Sequence, residues 1–373
     1  MLTLEGCRER QRRLRERLSA AGIDAVALAD PRDIYYFTGL PLSKFPALLF
    51  LETRGDSWLA AHTDQGEAVT GDRIAYEWHK LYTMNPDPMR QLNAVVAARL
   101  KGHASMAQVG WQAEATPKLL ADTVASALRP AAWTPVDDLL TGLQKRKDPD
   151  EVALLRLAAQ TCLAAYSAAQ RAILPGANEL DVLAAGQQAA MQEAGEVIWH
   201  GGDYQCNALG GPARDRRIEA GELYIIDAQS AYRGYNSDLC RTFVVGGEPT
   251  DLQRSVYDHL TGILTDIPNL VRPGGRATQL WKTIDARIRE RAPFRDVGLI
   301  HHGGHGVGLR PHEAPDINRD REGIFEVGDV FSCEPGAYCD ELRFGIRLEN
   351  TFLITESGVE TLSEYPLNLI PGA

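Results

Sequence analysis

LYIIDAQSAYRGYNSDLCRTFVV, residues 223–245, places two apolar strand patterns on either side of a polar turn, one ending on Asp227 and the other starting from Asp238. The alternation predicts a β-hairpin in which these two acids face each other. An acid at the tail of Leu223-Tyr224-Ile225-Ile226 is poorly explained by solvation, because a buried anion without a partner costs several kcal/mol. A salt bridge to Arg233 or Arg241 would satisfy either acid alone. Two carboxylates together call for a cation.

Further along, HHGGHGVGLRPHEAP (301–315) surrounds His305 with Gly303, Gly304, Gly306 and Gly308. Removing side-chain bulk there lets the backbone and an ion come close to the imidazole. A helical zinc motif built on His301 and His305 is disfavoured, since the glycines between them oppose a helix and no glutamate follows His301. A phosphate-cradling loop fails because Pro311 obstructs the helix that should follow. A hydrogen-bonded structural role suits any one histidine of this stretch, less readily all four.

Two more acids sit where a sheet interior should be apolar. Glu334 ends the strand pattern of FSCEPGAY, with Pro335 holding it extended, and Glu349 lies in FGIRLENTFLI, two residues from Arg347 and therefore on the same strand face. Four carboxylates and one imidazole (Asp227, Asp238, Glu334, Glu349, His305) form a hard, oxygen-rich set suited to a pair of Mn2+-like ions with two carboxylates bridging. A thiolate-rich zinc site is excluded.

The rest of the composition narrows the function classes. The 373 residues carry a net charge of −11, which repels phosphate backbones and anionic membrane surfaces, so nucleic acid is not expected as a partner. The basic run Arg8 to Arg17 is interleaved with Glu9, Leu14, Glu16 and Leu18 and reads as the solvated face of an opening helix. Cys7, Cys162, Cys206, Cys240, Cys333 and Cys339 are scattered without a C-x-x-C pair, which fits a reducing cytoplasm. The N-terminus has no apolar core after its charges, and the longest apolar run, Phe45 to Leu51, is too short to span a bilayer, so no membrane segment is expected.

Two domains are expected. Residues 1–144 alternate helix and strand patterns in an α/β unit: a helix to Ala21, strands at Asp24–Ala29, Ala47–Leu51 and Ser57–Ala61, a helix at Met89–Leu100, a strand at Met106–Gly110 and a helix from Thr116 to Leu128. No catalytic constellation appears there, and a lid or dimerisation role is its default. The polar, proline-bearing QKRKDPD (144–150) marks the boundary. Residues 145–373 follow as an α+β catalytic domain with helices at about 151–173, 179–194, 252–267 and 277–291 and a strand-rich end.

These stretches together resemble the creatinase, aminopeptidase P and prolidase family, the pita-bread metallohydrolases. The likeness rests on Asp227 and Asp238 followed by Arg241-Thr242, on G-H-G-V-G-L around His305, on H-E-A-P at 312–315, on E-P-G at 334–336 and on G-I-R-L-E at 345–349. Ile34 to Gly39 and the KRKDPDEVALLRLAA segment extend it over nearly the whole chain. The resemblance implies two divalent ions, Mn2+ first, with Co2+, Zn2+ or Fe2+ as alternatives. It also implies that Asp227 chelates one ion, that Asp238 and Glu349 bridge both, and that His305 and Glu334 complete the set. Glu334 and His312 would be catalytic, and His301, Tyr235 and Arg347 would shape the substrate pocket or support the ligands. The implied activity is hydrolysis of the peptide bond before proline by a homodimer.

Three positions depart from the family pattern. A histidine expected shortly before the first aspartate is replaced at Leu209 or Gly210, a glycine by Gln229, and a threonine by Cys240. Gln229 and Cys240 are expected to touch no ligand, and His200 is expected to be structural. The missing histidine keeps a second reading open, a hydrolase or lyase of the same fold acting on a small amidine, cyclic amino acid or related metabolite. A metal-free creatinase-like mechanism and a non-catalytic binding module are both disfavoured, because crowded acids would repel without ions.

Overall fold

The computed structural model describes residues 1–62, 66–76 and 87–371. The chain forms two compact units, Met1–Gln144 and Lys145–Ala373.

The first unit contains α1 (Leu4–Ala20), β1 (Ala25–Leu28), α2 (Pro31–Thr38), β2 (Leu48–Glu52), β3 (Ser57–Ala61), β4 (Asp72–Ala75), α3 (Pro88–Leu100), β5 (Gln108–Trp111), α4 (Lys118–Leu128), β6 (Ala132–Pro135) and α5 (Asp137–Gln144). Its strands form one mixed sheet in the order β4-β3-β2-β1-β5-β6. Leu92, Val96 and Leu100 of α3, with Leu120, Val124 and Leu128 of α4, share a core with Ala25, Ala27, Leu48 and Phe50 of the sheet. The helical period of three to four apolar residues supplies that face. The basic run at the start is solvated only in part. Arg12 pairs with Glu9 and Glu16 at the surface, but Arg10 is buried and donates its Nε to the Tyr36 carbonyl at 2.8 Å.

The second unit begins with α6 (Pro149–Ala172) and α7 (Glu179–Ala194), followed by β7 (Trp199–Cys206), β8 (Leu223–Tyr232), β9 (Tyr235–Asn236) and β10 (Leu239–Val244). After α8 (Asp251–Leu270) and α9 (Ala277–Arg289) come β11 (Gly304–Gly306), β12 (Glu313–Ile317), β13 (Val330–Cys333), β14 (Gly336–Cys339), β15 (Phe344–Arg347), β16 (Asn350–Thr355) and β17 (Gly358–Thr361). One sheet runs β10-β8-β7 with β9 on β8, a second runs β12-β11-β13-β16-β17, and β14 pairs with β15. Helices α6 and α7 bury Cys162, Tyr166, Ala169 and Val182 against Tyr204, Ile226, Ala228 and Phe243 of the first sheet. Helices α8 and α9 bury Leu260, Leu264, Ile284 and Ile288 against Phe331, Phe352 and Ile354 of the second. Since Ile226 and Ala228 take the helix side of β8, alternation turns Asp227 and Gln229 to its other side.

Among the described residues one helix, α6, has the length and apolar composition to cross a bilayer. Half of its apolar window is buried in the unit, the pattern of a core helix. Its Asp148/Glu151 capping box begins the helix where the polar segment ends.

Tyr166 ties α6 to the hairpin. Its hydroxyl lies 2.6 Å from the Ile226 carbonyl and also within reach of the Leu239 carbonyl, each carbonyl adjacent in sequence to one of the two aspartates. Tyr166→Phe removes a fully buried hydrogen bond and is expected to cost about 1–2 kcal/mol. The shift in urea midpoint at unchanged slope measures it.

Candidate metal centre

The hairpin register explains how Asp227 and Asp238 meet. Strands β8 and β10 pair Asp227 with Cys240 and Ala228 with Leu239, and β8 and β9 pair Ala231 with Asn236. Continuing that register places Gln229 opposite Asp238. The two aspartates are therefore diagonal neighbours on one face, not direct opposites, at a spacing that long or flexible polar groups can bridge. Neither Arg233 nor Arg241 neutralises them. Arg233 pairs with Glu196, and the buried Arg241 donates to the carbonyls of Cys240 and Glu349 and to Asn350.

His305 enters from the second sheet. Its strand β11 is squeezed between β12 and β13, and a Cβ on Gly304 would meet the Ser332 backbone while one on Gly306 would meet the backbone of Ala314 and Glu313. Only glycine lets the strands close to this distance. Glu334 follows β13, its N–H donating to the Gly303 carbonyl at 2.9 Å. The N–H of Glu349 donates to the Cys240 carbonyl at 2.9 Å, joining the acid-bearing ends of the two sheets.

The five expected side chains converge. Potential ligand atoms lie within 4.8 Å of one another in three overlapping groups: Asp227, Asp238 and Glu349; His305, Glu334 and Glu349; and Asp238, His305 and His312. His305 Nε2 is 3.5 Å from Asp238 Oδ2 and 3.8 Å from Glu334 Oε1. The His312 ring stacks on His305 with centroids 3.7 Å apart. Arg347 and Glu349 line the same pocket.

Tyr235 and His301 are not among the residues lining this pocket. Tyr235 is fully buried and its hydroxyl donates to Glu151 at 2.9 Å, so it has no surface to offer a substrate. His301 has its ring nitrogens on the His302 carbonyl and the Tyr338 hydroxyl and lines an adjoining cleft beside Trp281. His200 is buried between Ser230 and Tyr204 and is structural, as its sequence setting suggested. Arg347 is in the pocket, but its Nη2 is taken by Asp227 at 2.8 Å and by Asp203.

Three pocket residues escaped the sequence reading. Gln229, expected to touch no ligand, donates its Nε2 to Asp238 Oδ2 at 2.8 Å. Extending the hairpin register by one pair would have found it. Asp203 stands opposite Asp227 in the β7–β8 register, and its signal was an acid without an obvious partner in WHGGDYQC. His302 has its Nδ1 3.2 Å from Glu334 Oε1. His301 Nδ1 lies 4.0 Å from the other oxygen of the same carboxylate.

Without ions this cluster is electrostatically loaded. Burial, then mutual repulsion, pushes the carboxyl groups of Asp238, Glu334 and Glu349 well above the usual range, and burial raises Asp227 despite Arg347. Burial drives His305 down to about 3, and lowers His302 and His312 as well. Among the described residues, Asp238 Oδ1 and Glu349 Oε2 are buried with no hydrogen-bond partner. Oxygen atoms orphaned inside an anionic pocket fit divalent cations, and the donor set, all carboxylate and imidazole, fits hard or borderline ions.

Comparison with known proteins agrees with this chemistry. A fold of two helix-backed sheets around a buried carboxylate and imidazole cluster defines a metal-dependent hydrolase of the pita-bread type. The chain belongs to metallopeptidase family M24, whose model matches residues 153–356, and the creatinase/prolidase N-terminal domain model matches residues 10–143. It is 28% identical over 369 residues to the Xaa-Pro dipeptidase of Pyrococcus furiosus, covering 97% of this chain and 100% of that protein. The solved prolidase of Pyrococcus horikoshii OT3 superposes with a TM-score of 0.79 at 25% identity, covering 97% and 100% of the two chains. The X-Pro aminopeptidase of Thermotoga maritima shares the fold with a TM-score of 0.76 at 22% identity over 96% and 99%.

The shifted acids fix the sign of a pH effect. A carboxyl whose folded pKa lies above its unfolded value binds more protons in the folded state, so stability falls as pH rises through the folded pKa. From about pH 7.5, a unit above the ordinary histidine value, the histidines are almost wholly neutral in both states and oppose this little. Chelated protein is therefore expected to melt at a lower temperature at about pH 8.5 than at about pH 7.5, and reloading with divalent ions should remove most of that difference. Paired thermal scans at the two pH values, with and without metal, check both halves.

Proposed function

We propose that the chain is a dinuclear metallopeptidase that hydrolyses the peptide bond preceding proline, in the manner of a prolidase or aminopeptidase P. The carrying observation is the set of three overlapping ligand groups with orphaned oxygens on Asp238 and Glu349, the two acids positioned to serve both ions. Proline specificity rests on the relatives named as Xaa-Pro dipeptidases. In this reading Asp227, Asp238, His305, Glu334 and Glu349 hold two divalent ions, with manganese the first choice. Bound ions supply Lewis acidity and an activated water at neutral pH.

The protein's own groups then divide the work. Glu334, next to His302 and His305, is the carboxylate suited to taking a proton from water and handing it to the leaving nitrogen. His312, neutral and stacked on His305, is placed to donate a hydrogen bond to the developing oxyanion. Gln229 holds Asp238 by one oxygen and so fixes the direction of the other.

A second reading has its own support. The expected histidine is absent, Asp203 stands against Gly210, and Arg347 is committed to two acids. A wall of this kind suits a small amidine, a cyclic amino acid or a related metabolite, cleaved by a hydrolase or lyase on the same metal scaffold. The free state of all six cysteines supports a cytoplasmic location. A homodimer, with the N-terminal unit as lid or dimerisation element, rests on the family resemblance.

Manganese-reloaded protein is expected to cleave Xaa-Pro dipeptides in preference to matched Xaa-Ala dipeptides by at least about tenfold in kcat/KM. Absence of proline-dependent cleavage with any of the four metals would remove the peptidase reading and leave the second. Separately, Asp238→Asn is expected to fold but to lose stoichiometric metal, because it deletes a charge belonging to two of the three ligand groups. Elemental analysis of the purified variant decides this, and full occupancy would contradict the ligand assignment.

A further inference from the structure

Asp203 is a charged wall of the pocket that the proposed chemistry does not use. It lies on β7 directly opposite Asp227, lines the same pocket as the five converging residues, and keeps 31% of its side chain exposed. Its Oδ2 accepts from Arg347 Nη2, and that guanidinium group also reaches Asp227 at 2.8 Å. The Oδ1 atom accepts no hydrogen bond among the described residues. On the far side stands Gly210, at a φ of 140°. A Cβ there would sit far inside contact distance of Asp203 Oδ2 and 3.0 Å from Arg347 Nη2. The carboxylate thus fills the space that any side chain at 210 would need, and an imidazole at 210 and this Asp203 conformation exclude each other.

The consequence is a change in the sign of the wall. Five carboxylates and one guanidinium line the pocket. Two divalent ions together with Arg347 balance those five charges, whereas a pocket without Asp203 would keep one uncompensated positive charge beside Arg347. A substrate carboxylate gains little from a guanidinium already shared by two acids, and an approaching cation finds a free carboxylate oxygen at the pocket surface.

We propose that Asp203 is a specificity-determining residue: it withdraws Arg347 from carboxylate recognition and makes this wall the receptor for a cationic nitrogen group on the substrate. The inference rests on the metal-loaded pocket proposed above. Two sources present that chemistry, the α-ammonium of an unblocked peptide and the amidinium of a small metabolite.

Benzamidinium and benzoate, alike in ring and opposite in charge, test the sign of the wall on manganese-loaded protein by calorimetric titration. In Asp203→Asn and Asp203→Ser the ratio of the two dissociation constants is expected to shift about tenfold or more toward benzoate, while Asp203→Glu keeps the original ratio. General damage to the pocket weakens both probes and leaves the ratio alone, so an unchanged ratio in the folded neutral variants overturns the proposal. Ala-Pro and its N-acetylated form then separate the sources. If the native protein prefers the free amine and Asp203→Asn loses that preference mainly through KM, the cation is the peptide α-ammonium. If the probe ratio shifts but no Xaa-Pro substrate is cleaved, the Asp203 inference stands, the cation belongs to an amidine-type metabolite, and only the proline reading falls.

Discussion

Four carboxylates crowded into one pocket set the terms for everything else in the second unit. Asp227, Asp238 and Glu349 lie within 4.8 Å of one another and Glu334 within 4.8 Å of Glu349, and each such ionised pair repels by roughly 3–4 kcal/mol even at an effective dielectric of about 20. Several such pairs together rival the whole stability of a domain, about 5–15 kcal/mol. The cluster can persist only if protons or cations neutralise it. The upward shift of Asp238, Glu334 and Glu349 is the proton solution, and the orphaned oxygens of Asp238 and Glu349 show what that solution leaves unsatisfied. Divalent ions answer the charge and the missing bonds at once.

The fold is arranged to hold that load in place. Helices back each sheet, so the repelling acids push against strands that are anchored from behind by Tyr166, Phe243, Leu260 and Phe352. The Glu349 N–H donates to Cys240, and Arg241 threads between the Cys240 and Glu349 carbonyls, tying the ends of the sheets where the acids emerge. On the histidine side, Gly304 and Gly306 permit a three-strand approach that no other residue would allow. The cost of assembling the centre is thus carried by backbone hydrogen bonds and apolar packing, and the acids themselves contribute nothing favourable until a cation arrives.

Much of this was written in the sequence, because periodicity reports faces. An acid that interrupts an apolar strand pattern is visible on inspection, which is why Asp227, Asp238, Glu334 and Glu349 could be named before any coordinates. The glycines around His305 advertised close approach in the same way. What escaped was lateral. Gln229, Asp203 and His302 matter because of which residue stands beside them on the next strand or turn, and a one-residue change of register would have sent each of them elsewhere. Tyr235 failed for the complementary reason: it sits in the same polar turn as the acids, but alternation and the Glu151 carboxylate draw it into the interior. Arg347 lines the pocket, and its engagement with Asp203 could not be foreseen because 144 residues separate the pair.

The departures from the family pattern are not scattered once register is considered. Cys240 stands opposite Asp227 on one side, Asp203 stands opposite it on the other, Gln229 faces Asp238, and Gly210 accommodates Asp203. All of them flank the first-sheet acids, and none replaces a member of the five-residue cluster. A centre whose charge balance is so tight tolerates little change in the ligands themselves, since removing one acid strands the others. The neighbouring wall is under no such constraint. A carboxylate there needs only one partner, and Arg347 is at hand with a planar, multiply donating head. The ligand cluster and the wall beside it are therefore separable in this fold: the first is fixed by the repulsion among buried acids, and the second is open to substitution along one face of the β7-β8-β10 sheet.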